Sequence, residues 1–260
     1  MFKALMAALA AGLLSLSGQA ARAEVRVGAA SDLQFVLPEL AERFQSATGV
    51  EVSLVFGASG NLSRQIRQGA DFDIFLSADE SYVARLRTEG RTQGPGRLYA
   101  VGRLILARRA DAPASGGAGL DGLRRAVERG DIRRFAIANP EHAPYGARAR
   151  EALQKAGLWA GLKDRLVLGE SVAQAGQYVL SGAAEAGLIA HSLAFSPNLG
   201  GRLRYWLIPE TLHSPLRQEM TLLSGAGPDA RRFFDFLQSA EARAAFSENG
   251  FATPPAEGKP

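Results

Sequence analysis

The amino-acid sequence predicts an α/β fold of two lobes, each a mainly parallel sheet flanked by helices, with two hinge strands joining them. Three observations predict it. Strand-like and helix-like periodicities alternate along the chain, the alternation falls into two sets, and a longer strand-like run follows each set.

The first set opens with EVRVGAA (24–30), which reads as a strand. Leu33, Val36, Leu37, Leu40 and Phe44 then recur at helical spacing, and Gly49 stands where a helix ends in the left-handed conformation. VEVSLVF (50–56) is the next strand, and Leu62 and Ile66 mark a second helix. DIFL (73–76) is a short buried strand, and 82–86 starts a third helix. This βαβαβ order implies parallel strands with helices on both faces.

LYAVGRLILAR (98–108) is a longer strand, followed by a Gly/Ala/Ser-rich loop at 113–119. The second set comprises a strand at 135–138, a helix after Tyr145, a strand at 166–168, a helix after Val172 and a strand at 186–190. A strand at 204–208, a Pro-bearing loop and a second long strand at 218–224 follow. Helices at 229–239 and 241–249 complete the fold, and the tail from Pro254 is expected to fray. The chain is expected to leave the first lobe near Val101 and return near Met220. That divides it into a first lobe of 24–101 with 220–260 and a second of 102–219.

Residues 1–23 read as a cleaved export signal. Lys3 gives the positive start, 4–16 the apolar core, and Ala21-Arg22-Ala23 the small-x-small cleavage pattern. The apolar run falls short of the roughly 20 residues that span a bilayer. Cleavage leaves roughly 237 residues, enough for one large domain or two lobes. With no cysteine, the chain has neither a disulfide framework nor a thiolate metal site. The formal charge of +4 falls to +2 when Lys3 and Arg22 leave with the signal. The densest basic stretch, 123–135, is interleaved with Glu128 and Asp131, the pattern of a solvated helix face and not of a nucleic-acid surface.

The chemistry lies at the strand-to-helix turns. Ser31-Asp32-Leu33-Gln34 and Ser171-Val172-Ala173-Gln174 carry the S-x-x-Q capping signature. Gly57-Ala58-Ser59-Gly60-Asn61 opens another helix with small residues, and PEHAPYG (140–146) opens a fourth with Tyr145 at its mouth. Helix starts present unpaired N–H groups and the positive end of the macrodipole, so they bind anions where strand ends converge. Spacing alone does not bring the four together.

Four segments carry a family resemblance: VGAASDLQFVLPELAERF, VFGASGNLSRQIRQGADFDIFLSAD, NPEHAPYGARAREALQKAGLW and GESVAQAGQYVLSGAAEAGLIA. They resemble the periplasmic molybdate-binding proteins of ABC transporters, in order over nearly the whole mature chain. The resemblance implies a periplasmic, monomeric, two-lobed binding protein without catalytic residues or cofactor. It would close on molybdate or tungstate and deliver it to an ABC permease in the inner membrane. By position, Ser59 implies a hydroxyl and an N–H on the anion, Val172 an N–H, and Tyr145 a phenol and an N–H. Ser31 and Asp32 fill paired positions where many members carry hydroxyl or amide residues. A carboxylate repels a dianion, so the Asp32 N–H is expected to face the cleft while its side chain stays at the first helical turn, which favours acids. Some members donate a phenol from the slot that Ala190 fills here; His191 stands beside it as a candidate cationic donor.

Two other readings remain at this point. One keeps the fold and changes the ligand to sulfate or phosphate, with Asp32 accepting the proton that phosphate carries. The other is an exported hydrolase using Ser59 or His191, although Ser59 lies outside a G-x-S-x-G elbow. Metal cation sites find little support. His142, His191 and His213 lack zinc spacing, and Asp71 with Asp73 falls short of the roughly six to eight oxygens calcium takes.

Overall fold

The computed structural model describes residues 24–112, 117–196 and 201–254. The export signal at 1–23, most of the loop expected at 113–119 and the tail beyond Pro254 lie outside the described residues.

The strands are β1 (Val25–Ala30), β2 (Val52–Gly57), β3 (Ile74–Ser77), β4 (Arg97–Gly102), β5 (Leu104–Arg109), β6 (Phe135–Ala138), β7 (Leu166–Gly169), β8 (Ala186–Ala190), β9 (Leu203–Leu207) and β10 (Leu216–Leu222). The helices are α1 (Val36–Thr48), α2 (Ser59–Arg67), α3 (Glu80–Thr88), α4 (Gly119–Glu128), α5 (Pro144–Lys155), α6 (Trp159–Leu162), α7 (Val172–Leu180), α8 (Pro228–Phe236) and α9 (Ala240–Glu248). Among the described residues they build two five-stranded sheets, ordered β2-β1-β3-β10-β4 and β7-β6-β8-β5-β9. Each holds a parallel trio, extended by two further strands through successive antiparallel pairings.

The strand period sorts side chains between the faces of the first sheet. Ile74 and Leu76 join Val27, Ala29 and the apolar stripe of α1, with Phe233 and Phe246 from α8 and α9. Phe75, between them in sequence, points the other way, into a cluster with Leu62 and Ile66 of α2 and Val83 and Leu86 of α3. Covered on both faces, β3 is buried throughout. The second sheet is enclosed likewise, and every residue of β6 is buried.

The long strand expected over 98–108 is broken at Arg103, with β4 in the first sheet and β5 in the second. The chain returns from β9 to β10, entering the first sheet at Leu216. β4 and β10 lie side by side, with Leu216 opposite Gly102, so both crossings sit together at the lobe junction. A Cβ at Gly102 would overlap the Tyr145 hydroxyl and the Gln218 amide nitrogen. Glycine is thus what lets a second-lobe side chain reach the crossing strand.

Candidate functional site

The parallel strands of both sheets point their carboxyl ends at a common cleft, where α/β proteins place ligands. It is lined by Ala30 at the end of β1 with Ser31 and Asp32 after it, by Gly57 at the end of β2 with Ala58 and Ser59 after it, and by Ala78 after β3. The second lobe contributes Ala143, Pro144 and Tyr145 at the start of α5 and Val172 at the start of α7. Its free volume of about 10 Å³ is near that of a single water, so the lobes stand close together. All five residues expected to bind the anion, Ser31, Asp32, Ser59, Tyr145 and Val172, line this one cleft.

Three of the five open helices. Ser59 and Val172 are the first residues of α2 and α7, and Tyr145 is the second of α5 after Pro144. First-turn N–H groups have no intrahelical acceptor, so these helices aim unpaired donors and positive dipole ends into the cleft. The Ser59 hydroxyl accepts from the Ala78 N–H at 2.9 Å, which fixes its oxygen and leaves its own proton to donate. Ser171 caps α7 as expected, accepting from the Gln174 N–H at 3.3 Å, while the Gln174 side chain accepts from the Glu170 N–H at 2.6 Å.

Ser31 does not cap its own turn. The 3-10 turn Ser31–Leu33 has no side-chain cap, and the Ser31 hydroxyl accepts instead from Ala173 N–H of α7, at 3.4 Å across the lobes. Further ties cross the junction. Gly60 N–H donates to the His142 carbonyl at 2.9 Å, and a Cβ at Gly60 would fall 2.6 Å from that oxygen. The Ser192 hydroxyl donates to the Asp32 carbonyl at 2.8 Å, and Arg148 of α5 pairs with Asp79 at 2.8 Å.

Asp32 stands in the first turn of this 3-10 helix, as expected, but its carboxylate is turned inward to a distant partner. It is buried, 1% exposed, and Gln218 of β10 donates to its Oδ2 at 2.5 Å. Its Oδ1 is buried without a partner. Burial pushes the Asp32 carboxyl up to about 6, against the hydrogen bonds from Gln218 and Tyr145 that pull it down. Burial, and then the Asp32 charge, raises the Tyr145 phenol well above its usual value, so it stays a donor. Gln218 and Tyr99, which bonds Gln218 Oε1 at 2.7 Å, were missed in the sequence. The signal was there: Leu216, Gln218, Met220 and Leu222 alternate inward on β10, and one of them is polar.

His191 takes no place in the cleft lining. Its ring bonds the Gly250 carbonyl at 3.0 Å and packs on Phe195 and Tyr205. Burial lowers its pKa, so it is a neutral ring near pH 7 and not the cationic donor considered above. Ser59 and His191 are engaged with different partners.

The family model for bacterial extracellular solute-binding proteins matches residues 25–252. The chain belongs to that family. It is 35% identical over 250 residues to the molybdate-binding protein ModA of Azotobacter vinelandii, covering 95% of this chain and 96% of that one. It is also 35% identical over 244 residues to the ModA of Rhodobacter capsulatus, covering 93% of each. The solved structure of the periplasmic molybdate-binding protein of A. vinelandii superimposes with a TM-score of 0.80 at 28% identity, over 89% of this chain and all of that one. The resemblance read from the sequence is therefore one of homology, and the two-lobed fold is that of the solved relative.

The raised Asp32 pKa makes a stability prediction. The folded value, about 6, lies above the ordinary carboxyl value of 3.8, so the ionised form is disfavoured in the folded state. The penalty is absent well below pH 4, grows between about pH 4 and pH 6, and is level above that at about 3 kcal/mol. Asp32→Asn removes it. Urea unfolding at low and high pH should show the stability of Asp32→Asn relative to the parent improving by about that amount as pH rises from ~4 to ~8. A difference independent of pH would contradict the burial argument.

Proposed function

We propose that this protein is a periplasmic receptor that captures molybdate, or the closely similar tungstate, between its lobes and delivers it to an ABC importer permease. In this reading residues 1–23 are removed on export, and 24–101 with 220–260, extended by Gly102 and 216–219 of the crossing strands β4 and β10, form one lobe and the residues between form the other. The observation that carries the reading is the donor inventory of the cleft, in a chain homologous along its length to molybdate-binding proteins. Molybdate at neutral pH bears no proton, so it accepts hydrogen bonds and donates none. The N–H groups of Ser59, Tyr145 and Val172, with the hydroxyls of Ser31, Ser59 and Tyr145, answer that need from both lobes.

Because donors come from both lobes, an anion makes its full set of bonds only when they are together. That difference in contacts favours the closed form, which is the form a permease would read. Among the described residues no helix is long and apolar enough to cross a membrane. Phosphate is the second reading. A protonated phosphate needs an acceptor, and Asp32 Oδ1 is a buried carboxylate oxygen in the cleft wall without a partner.

Thermal unfolding of the mature protein with molybdate, tungstate, sulfate and phosphate separates these. A ligand at about 100 times its Kd adds about 2.7 kcal/mol, a Tm rise of roughly 5–10 °C for a chain of this size. The rise is expected with molybdate and tungstate; a rise with phosphate and none with either of them would overturn the reading. Ser59→Ala and Tyr145→Phe should each weaken molybdate binding by ~1.5–3 kcal/mol in calorimetry, as lost hydrogen bonds to a charged partner do. Unchanged affinity in both would show that the anion sits elsewhere.

A further inference from the structure

Behind the cleft, a chain of buried side chains joins one donor of the inventory, the Tyr145 hydroxyl, to three groups that the inventory does not use. Gln218 Nε2 donates to Asp32 Oδ2 at 2.5 Å and to the Tyr145 hydroxyl oxygen at 3.2 Å. Its Oε1 accepts from the Tyr99 hydroxyl at 2.7 Å. Tyr99 stands on β4 and Gln218 on β10, the paired strands at the junction, and Tyr145 on α5 of the second lobe. The four side chains therefore link the turn after β1, both strands and the opposite lobe. Each is at most 4% exposed.

Around Asp32 the titratable groups are few. Tyr99 and Tyr145 face it from β4 and α5. On β10, Arg217 is paired with Glu80, and Glu219 lies against Gly96. Of the elements packed on its turn, α7 carries Tyr178, β2 carries no titratable residue, and His191–Phe195 carries only His191, bonded to Gly250. Arg148 of α5 is paired with Asp79 and Glu151. No cation among the described residues is paired with Asp32.

The Tyr145 hydroxyl has one proton to give, and its oxygen already accepts from Gln218. Two acceptors compete for that proton: the Asp32 carboxylate on one side and an anion in the cleft on the other. While Asp32 is ionised, its charge attracts the phenol proton and repels the anion. We propose, building on the reading of the cleft as a molybdate site, that Asp32 takes up one proton from solvent as the oxyanion is captured, freeing the Tyr145 phenol to bond the anion. The proton goes to the carboxylate, where Oδ1 has an open position, and one negative charge is cancelled as two arrive. The phenol keeps its own proton and changes only its acceptor.

Burial already holds the carboxyl at about 6, and a dianion beside it pushes it higher. Capture therefore takes up a proton between about pH 6 and the higher value of the filled site. Affinity is level below that window and falls through it as pH rises. Asp32 is in this account a specificity-determining residue, favouring an anion that arrives without a proton of its own.

Calorimetric titration of the wild-type chain with sodium molybdate, from about pH 5.5 to about pH 8.5 in buffers of differing ionisation enthalpy, counts the protons directly. The expected result is uptake approaching one proton per anion near pH ~7.5, with affinity falling by up to about tenfold per pH unit above about 6. Asp32→Asn should take up none, lose the pH dependence and bind more tightly than wild type at the alkaline end. Molybdate binding by the wild type with no proton uptake anywhere in the range, or uptake that persists in Asp32→Asn, overturns the proposal and leaves the ligand reading standing. No molybdate binding by either protein at any pH overturns the ligand reading and the proposal with it. The proton count on the wild type decides the matter even if the variant folds poorly.

Discussion

Everything at the cleft depends on a property of helices: their first N–H groups have no partner within the helix. Three helices in this protein, α2, α5 and α7, begin at the carboxyl ends of parallel strands, and their starts line one cleft. Buried donors left without acceptors cost free energy, and in the proposed function a fully deprotonated oxyanion would supply the missing acceptors. The two parallel trios matter because they aim these helix starts at each other across the lobe junction.

Close approach of the lobes is the second requirement, and small residues meet it. Ala30, Ala58 and Ala78 stand at the carboxyl ends of the three parallel strands of the first sheet and pack into the apolar cluster of the second lobe. Gly60 brings the α2 backbone within hydrogen-bond distance of the His142 carbonyl. Gly102 leaves room where Tyr145 and Gln218 meet the crossing strand. Larger side chains at these positions would hold the lobes apart, and donors from one side alone would surround half of an anion.

Much of this was legible in the sequence, because hydrophobic period and turn chemistry are local. The strand 135–138 was read with its observed ends, and Gly49 ends α1 at φ 72° as its position predicted. The resemblance named the five expected site residues, and they share one cleft. What failed to show was decided by partners distant in sequence. Ser31 carries a capping signature, yet its hydroxyl bonds Ala173, 142 positions away in the other lobe. Asp32 is a helix-start acid as read, yet its carboxylate is held by Gln218, 186 positions away. The run 98–108 reads as one strand because a change of sheet at Arg103 leaves its apolar pattern intact. Gln218 was overlooked as an ordinary strand residue, although a polar side chain at an inward position of a buried strand signals a partner.

The central claim is that one oxyanion is held by donors from both lobes at once. Crystals of the mature protein grown with molybdate, with diffraction recorded at the molybdenum absorption edge, test it most directly. The account predicts a single strong anomalous peak in the cleft, its oxygens within hydrogen-bond distance of Ser59 from one lobe and Tyr145 and Val172 from the other. A peak outside the cleft, or an anion contacting one lobe only, would contradict it.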